Sequence, residues 1–305
     1  MTSPAPVPKK AILVVNAKSR KGRKLFRHAV VQLREAGVEI ISAHPVRNPD
    51  RFQEVIRTAV ASGAPMVIVG GGDGSLSSSV DYFVGTDCVF ALLPLGTANS
   101  FARTLGIPLD IDGAIDVIAT GQRRRIDLGM IDSDYYANCA AIGVSPLIAE
   151  TVPHGLKRTL GRSGYLIWAA WQMTRFRPFK LTIVEGESST TIDALEVRIA
   201  NGRYHGGTEL VEDATLDSGE IVVQAVVGTR STTLAWSWFS SVVKLRTRKR
   251  TWREFRGTAL KIITEPCLPI SIDGEVLART PVMARVAKGV IEVVAPADRP
   301  VTRPA

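Results

Sequence analysis

Cysteine is scarce in this chain: three in 305 residues, Cys88, Cys139 and Cys267, widely separated and without metal-ligand spacing. That argues against a disulfide framework or a thiolate zinc site and predicts free thiols in a reducing compartment. Long hydrophobic runs are also missing. The longest apolar stretches, such as "YLIWAAW" over 165–171, are far too short to span a bilayer. No secretory signal opens the chain. "MTSPAPVPKK" is a short polar lead, expected to be disordered over residues 1–9. There is no internal repeat. No nucleic-acid recognition element accompanies the basic residues, so a nucleic-acid partner is not expected.

What is present suits a soluble globular protein with an ample core: 45% of residues are hydrophobic and 22% charged. Length alone suggests two domains. The net charge of +9 favours anionic partners, a nucleotide or an acidic membrane surface among them.

Strands and helices alternate through the first 125 residues. "AILVVN" (11–16), "VEIISA" (38–43), "MVIV" (66–69) and "VFALLP" (89–94) read as strands. Helical patterns lie at 22–36 and 51–62, from Ser75, from Ala98 and over 112–120. The alternation predicts an α/β nucleotide-binding domain with a parallel sheet over 10–125. The rhythm then changes. Short strands with turn residues between them are expected at 125–131, 135–143, 179–186, 194–202, 219–228, 259–265, 268–274, 281–287 and 290–295. Helical interruptions fall near 160–176 and 231–245. This predicts an antiparallel β-sandwich domain over 126–305, its last strands able to return to the first domain.

The densest signal is "MVIVGGGDGS" (66–75), a strand running into Gly70, Gly71, Gly72, Asp73, Gly74 and Ser75. So many glycines imply a strained turn, a close backbone-to-backbone approach, or a close approach of backbone to a ligand. A strand-to-helix turn offers backbone N–H groups to an anion. The loop is neither a Walker loop nor a Gly-x-Gly-x-x-Gly fingerprint. Asp73 would repel a phosphate unless a cation lay between them, and Mg²⁺ resolves that conflict; the alternative is a helix-capping or Asx-turn acid. A second loop, "LPLGTANSFAR" (93–103), supplies Gly96, Thr97 and Asn99 at a helix start, where capping alone could explain one of them. A third, "NAKSRKG" (16–22), supplies Asn16, Lys18 and Ser19. Three such loops on strand ends make a stronger signal than any one.

The ordered set "GGGDGS", "LPLGTANSFAR", "NGRYHGG" (201–207) and "IDGE" (272–275) resembles the bacterial lipid kinases of the diacylglycerol kinase catalytic-domain family, a group that includes sphingosine and ceramide kinases. The resemblance runs from about residue 10 to 296. It implies an ATP- and Mg²⁺-dependent transfer of phosphate to a lipid hydroxyl, as in phospholipid biosynthesis, by a cytoplasmic enzyme peripheral at the inner face of the membrane. It carries ATP contacts onto Asn16, Ala17, Lys18, Ser19 and Arg20, onto Gly71, Gly72, Asp73, Gly74, Ser75, Leu76, Ser77 and Ser78, and onto Gly96, Thr97 and Asn99. It also places the proposed catalytic acid at Asp273 and Glu275, where the residues alone would read as a hairpin turn.

There are departures. Ala17 and Arg20 stand where the family commonly has Pro and Gly, Ser75 where it has Thr, and Ser77 and Ser78 where it often has an acid. "ATLDSGEI" (214–221) matches a loop that holds a structural Mg²⁺ in some members, leaving Leu216, Asp217 and Glu220 as ligands with Ser218 in place of a typical Asp; an ordinary turn is the alternative. Lys18 and Arg103 are candidates to offset phosphate charge. Residues 231–256 place Trp236, Trp238 and Phe239 ahead of Arg246, Arg248, Lys249, Arg250, Arg253 and Arg256, a pattern suited to an anionic bilayer surface; a helix packed on the sandwich followed by a solvated basic loop is the alternative. An NAD kinase-like enzyme and a degenerate nucleotide-binding regulator are the rival readings. The acceptor lipid is unread, and a homo-oligomer is left open.

Overall fold

The computed structural model describes residues 6–18, 20–144, 146, 176–209, 211, 214–228 and 252–297. The helix expected near 160–176, apart from Phe176, and the one expected near 231–245 lie outside the described residues. Two compact units are present: Met1–Leu128 with Tyr204–Gly207 and Lys288–Ala305, and Gly129–Arg203 with Thr208–Ala287.

The first unit alternates β1 (Lys10–Asn16), α1 (Arg20–Glu35), β2 (Glu39–Val46), α2 (Phe52–Ala61), β3 (Met66–Gly71), α3 (Asp73–Ser77), β4 (Val89–Pro94), α4 (Ser100–Leu105) and α5 (Ile111–Thr120). β4, β3, β1 and β2 lie side by side in that order, all parallel. Every residue of β3 and β4 is buried, as continuous apolar runs require when both faces of a strand are covered. β2 is the edge and is correspondingly half-exposed. α2 buries Phe52, Ile56, Ala59 and Val60, the helical stripe that packs it on the sheet. α5 is started by Asp110, whose carboxylate accepts from the Gly113 N–H at 2.8 Å.

β5 (Gln122–Ile131) passes from the first unit into the second. There follow β6 (Asp134–Tyr136), β7 (Cys139–Gly143), β8 (Phe179–Glu185), β9 (Ser188–Ala200), the short pair β10 (Tyr204–His205) and β11 (Thr208–Glu209), then β12 (Ile221–Val227), β13 (Trp252–Gly257), β14 (Ala259–Glu265), β15 (Pro269–Ile272), β16 (Glu275–Arg279) and β17 (Val282–Ala295). β17 returns to the first unit, where Val293 pairs in parallel with Phe90 of β4.

In the second unit β9 is the hub. Its first half pairs with β8, while its second half pairs with β7 and β12, all antiparallel. The main core on one face gathers Tyr136, Phe179, Leu181, Ile199, Ile262 and Ile270. The alternating pattern that marks sheets with unlike faces is plain in β8, which reads buried-exposed-buried from Phe179.

Three expectations need correction. "YYANCAAIG" is two strands, not one, broken at Ala137 and Asn138. The strands expected at 281–287 and 290–295 are a single strand, continuous through Gly289. Residues 252–256 belong to β13, paired antiparallel with β12, so the end of the basic segment is sheet.

Candidate active site

The glycine loop leaves the carboxyl end of β3, the edge of a parallel sheet where ligands collect. Gly72 is the extended residue before α3. A Cβ on Gly96 would lie 2.6 Å from the Gly72 Cα, and one on Gly72 would lie 3.3 Å from the Gly96 Cα. These two glycines are therefore required by the approach of one loop to the other. Gly74 is different: a Cβ there would meet nothing within 4 Å, and the residue is exposed. Among Gly70, Gly71, Gly72 and Gly74, it is Gly74 that faces open space. Its N–H lies in the first turn of α3, where a helix offers donors without an intrahelical acceptor.

Further bonds tie the three loops together. Asn16 at the end of β1 donates through Nδ2 to Ser75 Oγ at 3.2 Å and accepts the Lys18 N–H through Oδ1 at 3.3 Å. Asp73 accepts the Phe101 N–H at 3.3 Å, so its carboxylate reaches the first turn of α4. The Leu95 N–H donates to the Gly71 carbonyl at 2.8 Å. Asn99 adopts a left-handed conformation, φ 49° and ψ 47°, and closes its turn by accepting from the Gly96 N–H and donating to the Gly96 carbonyl. α4 accordingly begins at Ser100 rather than Ala98.

The predicted nucleotide residues divide by environment. Gly74, Gly96, Thr97 and Lys18 are exposed, and Asp73 and Ser75 are partly so. Ala17 and Leu76 are fully buried and pack into the core, and Ser77 and Asn99 are buried too. Ser78 Oγ donates to the Gly74 carbonyl at 2.6 Å and also bonds Gln53. Arg103 donates through Nε to the Ala98 carbonyl at 2.9 Å, a turn-closing role. Ser19 lies outside the described residues, as does the side chain of Arg20. From the "NGRYHGG" stretch, β10 lies against α4 and the Gly207 N–H donates to Ser100 Oγ at 3.0 Å.

In the second unit, Asp273 and Gly274 are the two-residue turn joining β15 to β16, both with positive φ, 45° and 102°. It is thus a hairpin turn of the kind that demands such residues. Its carboxylate folds back onto the chain: the Ala137 N–H donates to Oδ2 and the Cys139 N–H to Oδ1, each at 3.0 Å. Glu275 is exposed at the start of β16. Two titratable neighbours are held neutral. Burial pushes the Tyr136 hydroxyl well above its usual value, with Cys139 and Asp273 adding to the effect. Burial also drives the Cys139 thiol up to about 12, against the opposing pull of Arg198. Both therefore keep their protons near neutral pH.

Leu216 is buried, and Asp217 and Glu220 are exposed. The turn between them is closed by Ser218, whose hydroxyl reaches the Thr215 and Glu220 carbonyls at 3.2 and 3.1 Å. Among the described residues no group of three or more His, Cys, Asp or Glu side chains could hold a metal ion. Nor is any helix among them long and apolar enough to cross a membrane.

The first unit is thus a parallel α/β sheet with a glycine loop at a strand end, and the second unit is β-rich. Residues 10–131 match the diacylglycerol kinase catalytic domain, and residues 138–295 match the YegS C-terminal NAD kinase beta sandwich-like domain. A probable lipid kinase YegS-like from Pseudomonas aeruginosa is 30% identical, over 96% of this chain and 97% of its own. A namesake from Enterobacter is 32% identical over 68% of this chain and 71% of its own. A putative diacylglycerol kinase of Bacillus anthracis has the same fold, with a TM-score of 0.78 at 22% identity, covering 97% of this chain and 98% of its own. The chain belongs to the YegS-like lipid kinase family, and it is a kinase built on a diacylglycerol kinase catalytic domain.

Proposed function

We propose that the protein transfers the γ-phosphoryl group of ATP to a hydroxyl of an acyl lipid, in a Mg²⁺-dependent reaction. The observation that carries this reading is the loop cluster of the first unit, three strand-end loops locked together around a glycine, Gly74, that faces open space. Phosphoryl transfer asks for positioning and charge neutralisation more than for covalent chemistry. Gly74 and Ser75 offer the phosphates backbone and hydroxyl donors at the start of α3, and the exposed Thr97 adds a further hydroxyl.

Asp73 stands beside Gly74 and presents carboxylate oxygens, the hard donor that Mg²⁺ prefers, so it is the residue that would hold the ion. Bound there, Mg²⁺ would neutralise charge on the phosphates. In the 216–220 turn, the Leu216 carbonyl with the Asp217 and Glu220 carboxylates would supply oxygen ligands to a structural Mg²⁺. Asp273 accepts the proton of the lipid hydroxyl as its oxygen bonds the γ-phosphorus, while the bond from that phosphorus to the β–γ bridging oxygen breaks and ADP leaves. Two backbone N–H donors, from Ala137 and Cys139, fix the Asp273 carboxylate.

Acceptors within this reading are diacylglycerol-like lipids, ceramide or sphingoid bases, and phosphatidylglycerol. The β-sandwich match raises NAD as a rival acceptor. ATP consumption by purified protein, with detergent-dispersed lipid or with NAD, separates them. Asp273→Asn should lower kcat by roughly 10²–10⁴ and leave ATP affinity little changed; wild-type turnover in that variant would remove Asp273 from the mechanism.

Peripheral association with an anionic membrane at the cytoplasmic face belongs to the same proposal, supported by the net charge of +9. Residues 231–251 of the basic segment lie outside the described residues.

A further inference from the structure

Asp273 is held by a segment that is itself held. Residues 137 and 138 link β6 to β7, and nearly every backbone group around them has a partner within the second unit. The Ala137 and Cys139 N–H groups donate to the Asp273 carboxylate, and the Asp273 N–H donates to the Cys139 carbonyl at 3.1 Å. From the other side, Asn201 at the end of β9 donates through Nδ2 to the Ala137 carbonyl at 3.0 Å. The Asn201 and Gly202 N–H groups both donate to the Asn138 carbonyl at 2.9 Å. Asn201 is 1% exposed. Its side-chain amide thus grips the peptide unit that lies between the two whose N–H groups bond Asp273, after the one bonding Oδ2 and before the one bonding Oδ1.

We infer that Asn201 is a positioning residue for proton acceptance by Asp273, acting through the 137–139 backbone. The inference rests on the role proposed for Asp273. The physical reason is the turn. Asp273 sits at φ 45°, a conformation that non-glycine residues enter reluctantly, and its carboxylate can be aimed only if something outside the turn fixes it. Two backbone donors do that, and backbone donors are only as rigid as their own segment. Residues 137–138 belong to no strand, so the sheet does not hold them. Asn201 supplies the missing anchor from the well-paired end of β9, where Ala200 pairs with both Cys139 and Val222. Asparagine suits the position because it donates and is short. Aspartate of the same shape would oppose an oxygen to the Ala137 carbonyl.

The test is a double-mutant cycle on Asn201→Asp and Asp273→Asn, with Asn201→Ser as a milder variant should Asn201→Asp fail to fold. Three quantities are read: kcat with detergent-dispersed lipid, KM for ATP, and hydrogen exchange at the Ala137 and Cys139 amides. A misplacement of about 1 Å costs on the order of 10²-fold in rate. The Asn201 variant should therefore lose roughly 10- to 100-fold in kcat with KM for ATP unchanged. In the Asp273→Asn background the same change should cost almost nothing further. A structural role would instead lower activity by the same factor in both backgrounds, and that result overturns the inference, as does an unchanged kcat in a folded variant. The exchange arm needs no lipid. It should show faster exchange at both amides in the Asn201 variant, and unaltered exchange there contradicts the clamp even if no acceptor lipid is found. Absence of lipid phosphorylation by the parent, with exchange altered as expected, would instead fault the proposed reaction.

Discussion

Replacing Gly74 by alanine separates the two reasons a chain can have for glycine at this loop. The added methyl meets no atom within 4 Å, and the backbone is not in the left-handed region. Gly74 is the second residue of α3, where alanine should favour the helix by about 0.5–1 kcal/mol. The ligand-free protein should therefore be as stable as the parent or slightly more so. A phosphate lying against this residue would be pushed off its N–H. Losing one hydrogen bond to a charged group costs about 1.5–3 kcal/mol, so ATP should bind roughly 10- to 100-fold more weakly at tenfold per about 1.4 kcal/mol. Thermal melts and calorimetry with Mg²⁺-ATP give both numbers on one preparation. Unchanged ATP affinity in a variant of unchanged stability would refute the phosphate cradle and leave the loop a merely structural turn.

Gly96→Ala is the counterpart, because its methyl would fall 2.6 Å from the Gly72 Cα and only backbone movement relieves it. Stability and ATP affinity should both fall, in contrast to Gly74→Ala, when followed by the same melts and calorimetry. Arg198 and Glu196 form an ion pair at 3.3 Å with both side chains at most 3% exposed, and the guanidinium lies 5.1 Å from the Trp252 ring centroid. Arg198→Met should cost about 3–5 kcal/mol in urea unfolding, whereas Glu196→Gln with Arg198→Met should recover much of that loss. Burial raises the Cys88 and Cys139 thiols to about 12, so they stay protonated near neutral pH, while Cys267 is exposed. A thiol reagent should label Cys267 alone in the native protein and all three cysteines after unfolding.

β1, β3 and β4 were readable in the sequence because strands buried on both faces are written as unbroken apolar runs. β9 begins six residues before the expected Ala194, at Ser188, since its polar exposed start, paired only with β8, carries no hydrophobic signature. Gly289 reads as a turn, yet it sits inside β17 at φ 58° with its N–H given to Asp127 Oδ1 at 2.8 Å. The loop residues of the site were visible as letters. Their partners were not: the amides that hold Asp273 belong to Ala137 and Cys139, and any residue but proline would supply them. Asn201 stood within a quoted motif, but its target is a carbonyl 64 positions away. Likewise the bond from Phe101 to Asp73 gives that acid a structural task beside the metal-holding one proposed for it.

Labelled ATP incubated with the purified protein and a total lipid extract tests the central claim most directly. The account predicts that label appears in a phospholipid or phosphorylated sphingolipid, that Mg²⁺ is required, and that Asp273→Asn nearly abolishes the product. Label found on NAD when NAD is supplied and on no lipid, or no transfer to any acceptor despite ATP binding, would contradict it.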